Sequence, residues 1–357
     1  MTAVGEQPAI RSYTRTRTFP ARELLAIGGL LVLGLIALHP VLSARFVLVD
    51  DHEILALVPP IGAAPGTRSQ LDLRGMAFAS DPSVGRFRPL YWTVRLGEVA
   101  LLEADASAWH ALVLSLGILS ACMLYATARA LGSGRLPAVL VGGWLLVAPG
   151  VSSLWVRLGA DDTLGTLFLT LSLLAAAQAA RRRASMGWDV LLVIGALAAA
   201  LTKESFSLAV IGVAFFRAWL SSTRPSTGWR TQVPYAAWLV FLIGLAGVAN
   251  AFVLGRSAGP LSYGGRYLAL PDPLGYLRSV AQNAAILAYV GLGWVALLAF
   301  LTSSRLRTRL HTRREWRAAL IAAVPALVLI VPQLLLYSQQ GIFEGKYESA
   351  AAVGVAG

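Results

Sequence analysis

The chain has 357 residues, 57% of them hydrophobic and 13% charged, against roughly 25% charged in an average soluble domain. Apolar runs of about 20 residues recur along it, as many as a helix needs to cross a hydrocarbon core of roughly 30 Å. This excludes a soluble globular protein and predicts a polytopic all-α membrane bundle. The net charge of +12 comes from short Arg clusters between apolar runs, a topology signal and not a nucleic-acid footprint.

Residues 1–22, with Arg11, Arg15, Arg17 and Arg22, read as a disordered cytoplasmic tail, and residues 23–357 as one transmembrane domain. The first span is expected from Leu24 to Leu42. It is longer than the roughly 7–15 residues of a signal-peptide core and reads as a retained anchor. A long polar loop follows over residues 44–107. It opens with Val49-Asp50-Asp51-His52-Glu53 and turns through a Pro/Gly-rich segment from Pro59 to Gly66. It then reaches Gly85-Arg86-Phe87-Arg88-Pro89-Leu90-Tyr91-Trp92. From Leu90 to Leu102, the residues Leu90, Val94, Gly97 and Leu101 fall on one side, with Arg95 and Glu98 on another. That pattern predicts a helix lying along the interface, with Tyr91 and Trp92 at headgroup depth.

Further spans are expected at residues 109–131, 136–155 and 163–180. The region 188–220 would be about 50 Å long as a single helix, too long for one crossing. Lys203-Glu204 interrupts it near the middle, so a hairpin with these residues at its outer turn is expected. Spans at 233–254, 280–301 and 318–337 complete a set of about nine, the last kinked by Pro325 and Pro332. The apolar run from Ala350 to Gly357 is too short to cross. It reads as an incomplete tenth span of a C-terminally truncated chain, or as an end tucked into the bundle.

With the N-terminus inside, the inner segments take 18 of the 30 Lys and Arg but only four of the Asp and Glu. This is the positive-inside bias of a multi-pass protein, here expected in a bacterial inner membrane. The acidic clusters Asp50-Asp51-Glu53, Asp161-Asp162 and Glu204 then share the outer face.

Those clusters are the candidates for chemistry. The adjacent carboxylates of Asp50 and Asp51 offer hard oxygen ligands for Mg²⁺ or Mn²⁺, or a general base for an attacking hydroxyl. A solvated, helix-ending acidic loop is the plainer alternative. Asp161, Asp162 and Glu204 are auxiliary acidic or metal candidates; Asp161 and Asp162 are otherwise simply a helix cap and its favoured first-turn charge. Topology gives no reason for outer basic residues, so Arg86, Arg88, Lys203, Arg266 and Lys346 are candidates to hold a phosphate. Lys203-Glu204 falls within an apolar region, where charges are functional candidates by default. His110 reads as structural. The single Cys122 excludes an intrachain disulfide and a cysteine metal site. The segment from Ser262 to Tyr267 is Gly-rich but is no phosphate-binding loop, because no Gly-Lys-Ser/Thr follows.

In their order, these features resemble the GT-C superfamily of polyprenyl-phosphate-sugar-dependent glycosyltransferases. The resemblance is strongest to the branch with the protein O-mannosyltransferases, including the tetratricopeptide-linked transmembrane kind. Asp50-Asp51-His52-Glu53, Arg88-Pro89-Leu90, Trp109-His110, Lys203-Glu204-Ser205 and Lys346-Tyr347 carry it. It implies inverting transfer of a hexose or pentose from a lipid-phosphate donor on the outer face to a glycan, lipid or protein acceptor. One of Asp50 and Asp51 would be the catalytic acid or metal contact. Lys203, Arg88 and Lys346 would grip the donor phosphate. The chain departs from the branch where Gly117 stands in place of a second histidine, in carrying Lys346 before Tyr347 where arginine is more usual, and in having no tetratricopeptide repeats. A lipid-linked-sugar flippase or transporter, and a ligase or polymerase with a pyrophosphate-linked donor, are the alternatives.

Overall fold

The computed structural model describes residues 21–46, 86–148, 152–158, 161–181, 186–222, 233–257 and 272–285, with Leu334 and Ser338. Its named helices are α1 (Ala21–Leu38), α2 (Pro89–Leu102), α3 (Ala106–Ala130), α4 (Arg135–Val147), α5 (Asp161–Arg181), α6 (Met186–Thr202), α7 (Glu204–Ser222) and α8 (Tyr235–Ser257), with 3₁₀ turns at His39–Ser43 and Ser152–Trp155. Among the described residues, five segments are long and apolar enough to cross a membrane, those of α1, α3, α5, α7 and α8; α4 and α6 are apolar but shorter. The chain is an α-helical membrane protein. The expected spans at 280–301 and 318–337 lie outside the described residues, apart from 280–285 and Leu334.

Two boundaries follow from local chemistry. The span expected over 136–155 divides into α4 and the turn at Ser152–Trp155. Ala148 precedes Pro149 and is extended (φ −61°, ψ 136°), as the proline ring requires of its neighbour. The long apolar stretch 188–220 breaks where expected, with α6 ending at Thr202 and α7 starting at Glu204. The carbonyl of Lys203 accepts from the amide of Phe206 at 3.0 Å.

α5 and α7 form the centre and are largely buried, whereas α1 and α8 are mostly exposed to the outside of the bundle. The flanking helices expose aliphatic side chains, Leu25 and Ile36 on α1 and Leu239 and Val253 on α8. That is the surface hydrocarbon would cover. Close approaches set the interior. A Cβ on Gly165 would stand 2.2 Å from the Phe206 ring, so α5 and α7 meet there nearly backbone to ring. A Cβ on Gly117 would lie 2.9 Å from the fully buried Trp155 indole. The ring thus fills the space that a histidine at residue 117 would need.

Ion pairs close each end of the bundle. At one end Glu23 on α1 receives Arg129 of α3 at 2.9 Å and Arg135 of α4 at 3.0 Å, together with the Tyr125 hydroxyl. Arg217 near the end of α7 donates to Asp189 at the start of α6 at 3.0 Å and to the Ser221 hydroxyl at 2.6 Å. The other end carries α2 and the first turns of α5 and α7.

α2 is turned differently from the expectation. Its buried residues are Tyr91, Arg95 and Val99, and Leu101 is 83% exposed. Arg95 goes inward because its charge is matched there. It pairs with Glu98 at 2.9 Å, and its guanidinium lies 5.2 Å from the Tyr91 ring centre and 5.1 Å from that of Trp109. Such cation–π contacts strengthen when water is excluded. Burial raises the Glu98 carboxyl above its ordinary range, with Arg95 opposing the rise.

Candidate functional site

Arg88 leads into α2, with Pro89 at the first helical positions, where a missing N–H costs nothing. This delivers its guanidinium to the first turns of α5 and α7. Its Nε and Nη2 donate to both carboxylate oxygens of Glu204 at 3.0–3.2 Å, and its Nη1 pairs with Asp161. Lys203, in the break before α7, donates from Nζ to Asp162 at 2.6 Å and to Asp161 at 3.2 Å. Asp161 therefore bridges the two cations. Lys203, Asp161 and Asp162 are all buried. Arg86 adds positive charge close enough to act on Asp161 and Glu204.

The local reasons are plain. Asp161, Asp162 and Glu204 occupy the first turns of their helices, where the exposed N–H groups of the helix end favour negative charge. Three carboxylates that close would repel one another. Arg88 and Lys203 offset that, and the formal charges of Arg86, Arg88, Lys203, Asp161, Asp162 and Glu204 cancel. Burial would lower the Arg88 pKa; the carboxylates of Asp161 and Glu204 more than offset this and hold it well above its ordinary value.

The structure thus brings together five candidates from three separate segments: Arg88, Asp161, Asp162, Lys203 and Glu204. Asp50, Asp51, Arg266 and Lys346, like His52 and Glu53, lie outside the described residues. Asp161 lies inside the first turn of α5 and is held by Arg88 and Lys203. Side-chain cations stand between the carboxylates of Asp161, Asp162 and Glu204, and no group of three or more His, Cys, Asp or Glu among the described residues is placed to hold a metal ion. His110 is buried within α3.

Sequence reasoning missed two features. One is the inward Arg95; its signal was the aromatic Tyr91 four residues earlier, one helical turn away. The other is a cavity of about 260 Å³ among α6, α7 and α8, beside Glu204 and under Phe87. Nothing in the linear pattern marks it, because its walls come from three separate helices and Phe87.

Chemically, the arrangement offers a guanidinium and an ammonium held in place at one end of the bundle, both charge-matched. An Arg fork of this kind suits carboxylate and phosphate oxygens alike. No family model, curated protein or solved structure matches the chain.

Proposed function

We propose that the chain is a membrane glycosyltransferase of the GT-C kind, moving a sugar from a polyprenyl-phosphate donor to an acceptor at the outer face of the membrane. The observation that carries this reading is the convergence of Arg88, Asp161 and Lys203-Glu204. Two of the motifs that carry the family resemblance, Arg88-Pro89-Leu90 and Lys203-Glu204-Ser205, meet in space with ion pairs at hydrogen-bond distance. The network sits in the first turns of helices and not in the middle of spans, which favours chemistry at a membrane surface over a transport pathway through the bilayer centre.

In this reading an acceptor hydroxyl loses its proton to Asp50 or Asp51 and its oxygen attacks the anomeric carbon. The bond from that carbon to the phosphate oxygen breaks, and the lipid phosphate leaves with the electron pair. Configuration inverts. The leaving phosphate needs its growing charge matched, so preorganised cations matter most. Arg88 and Lys203 take that role, with Arg266 and Lys346 as further donors. A divalent ion, Mg²⁺ or Mn²⁺ on Asp50 and Asp51, would supply Lewis-acid assistance at the same phosphate.

The test is transfer by the purified protein in liposomes, offered defined polyprenyl-monophosphate and polyprenyl-pyrophosphate sugars. Transfer from the monophosphate donor, lost in Asp50→Asn with Asp51→Asn while the protein stays monodisperse, is the expected result. Full activity in that double variant overturns the assignment, and transfer only from the pyrophosphate donor turns it toward a ligase or polymerase.

A further inference from the structure

Glu204 stands between two unlike environments. On one side its carboxylate takes the Arg88 fork. On the other it forms part of the wall of the cavity among α6, α7 and α8, which is otherwise largely apolar, lined by Phe87, Leu197, Leu201 and Ile243. Ser207 lines the same cavity, fully buried, and its hydroxyl has no hydrogen-bond partner. The volume of about 260 Å³ falls below the roughly 300–1,000 Å³ of sites that hold whole small molecules. It fits a segment of a chain. Leu197, Ala246 and Asn250 on its walls are exposed, so the cavity opens sideways between α6 and α8, on the surface where hydrocarbon would lie.

The three carboxylates of the network are not held alike. Side-chain exposure is 4% for Asp162, 10% for Asp161 and 21% for Glu204. Asp161 is bridged by both Arg88 and Lys203, and Asp162 is held by Lys203 at 2.6 Å. Glu204 has the longest stem and the most contact with water. It is the one that another anion displaces at least cost. Because the six charges of the cluster, Glu204 included, cancel, adding a phosphate to the intact cluster would bury net negative charge. Exchanging Glu204 for that phosphate takes one of those negative charges away again.

We infer that Glu204 is an exchangeable counter-ion: it engages Arg88 in this arrangement and yields Arg88 to the phosphate of a polyprenyl-phosphate lipid whose first chain segment lies in the cavity among α6, α7 and α8. This rests on reading the site as one for a lipid phosphate. The same Arg fork serves both anions, and the cavity adjoins the carboxylate that moves. The consequence runs against a simple binding role for Glu204, because removing its charge should tighten the lipid phosphate and not weaken it.

The experiment measures binding of a long-chain polyprenyl monophosphate, the uncharged polyprenol and inorganic phosphate to the full chain in nanodiscs. Wild type should bind the lipid monophosphate well above the polyprenol, and Arg88→Gln should lose that preference. If either fails, the lipid-phosphate reading itself fails. Given both, Glu204→Gln should bind the lipid monophosphate about tenfold more tightly, and Glu204→Asp more tightly by a smaller factor. Ala246→Phe, which fills the cavity rim, should weaken the lipid monophosphate several-fold and leave inorganic phosphate unchanged. Unchanged or weaker lipid-phosphate binding in a folded Glu204→Gln protein overturns the exchange; should that variant not fold, Glu204→Asp decides by the same criterion. Tightening toward inorganic phosphate alone, with no effect of Ala246→Phe, assigns the anion to free phosphate and overturns the lipid chain's place in the cavity.

Discussion

Arg88 and Glu204 stand 116 residues apart in the chain, yet the guanidinium of one grips both oxygens of the other at 3.0–3.2 Å. The contact joins the start of α2 to the start of α7, and through Asp161 to the start of α5. Breaking a buried pair from one side leaves the other charge unmatched, at a typical cost of about 3–5 kcal/mol. Arg88→Gln leaves Glu204 without its cation and Asp161 with Lys203 alone, and because the Arg88–Glu204 pair is only part-buried the loss should fall near or below the low end of that range. Arg88→Gln with Glu204→Gln should be less destabilised than Arg88→Gln alone, a non-additivity that denaturation of the detergent-solubilised proteins would measure. Additive effects would show that the pair is not coupled.

A second prediction concerns the interior glycines. A Cβ at Gly165 would fall 2.2 Å from the Phe206 ring, and overpacking of a tight core costs about 1–3 kcal/mol. Gly165→Ala should lower the melting temperature, and Phe206→Leu in the same chain should recover part of the loss by clearing the ring. If the double variant is as unstable as the sum of its parts, α5 and α7 do not meet at this point.

The third prediction is a pH dependence at α2. Burial raises the Glu98 carboxyl above its ordinary value of 4.5, with Arg95 opposing. The folded state then holds a proton where the unfolded chain has released it. Stability from this group is full below the ordinary value and is lost as pH rises through the folded one. Glu98→Gln cannot ionise, so its stability should vary less than wild type across that window. Melting curves of both proteins from pH 4 to about pH 7 check the sign; a wild type that gains on Glu98→Gln as pH rises would contradict it.

The parts of this molecule that sequence made visible are those in which a residue type conflicts with its surroundings. Lys203-Glu204 interrupts an apolar run, and the helix does break there. Arg88 is basic in a loop expected on the outer face, where topology asks for no basic residue, and it lies in the charge network. The pairing itself was not legible. Lys203 and Asp162 are 41 residues apart, and which carboxylate meets which cation depends on how the tips of α5 and α7 approach, a property of packing and not of pattern. Arg95 was misplaced for a related reason. Hydropathy counts the guanidinium as polar and turns it outward, whereas its stacking on Tyr91 and Trp109 and its pair with Glu98 turn it in. Gly117 stood out as a departure from a familiar pattern, and only the nearby Trp155 ring gives it a physical cause.

The last prediction separates the structural task of Lys203 from its proposed task at the phosphate. Its ammonium lies between Asp162 at 2.6 Å and Asp161 at 3.2 Å, and all three side chains are buried. Lys203→Met removes the charge at similar volume and leaves two neighbouring carboxylates facing each other. It should therefore destabilise by about 3–5 kcal/mol. Asp162→Asn placed in the same chain removes the charge that Lys203 matched, Asp161 keeping Arg88, and should restore much of the loss. Transfer activity should not follow, because the restored chain still has no ammonium to meet the leaving phosphate. Stability is read from denaturation in detergent and activity from the liposome assay on the same preparations. A restored double variant with wild-type transfer would confine Lys203 to holding the helix tips together and would leave Arg88 as the cation of the site.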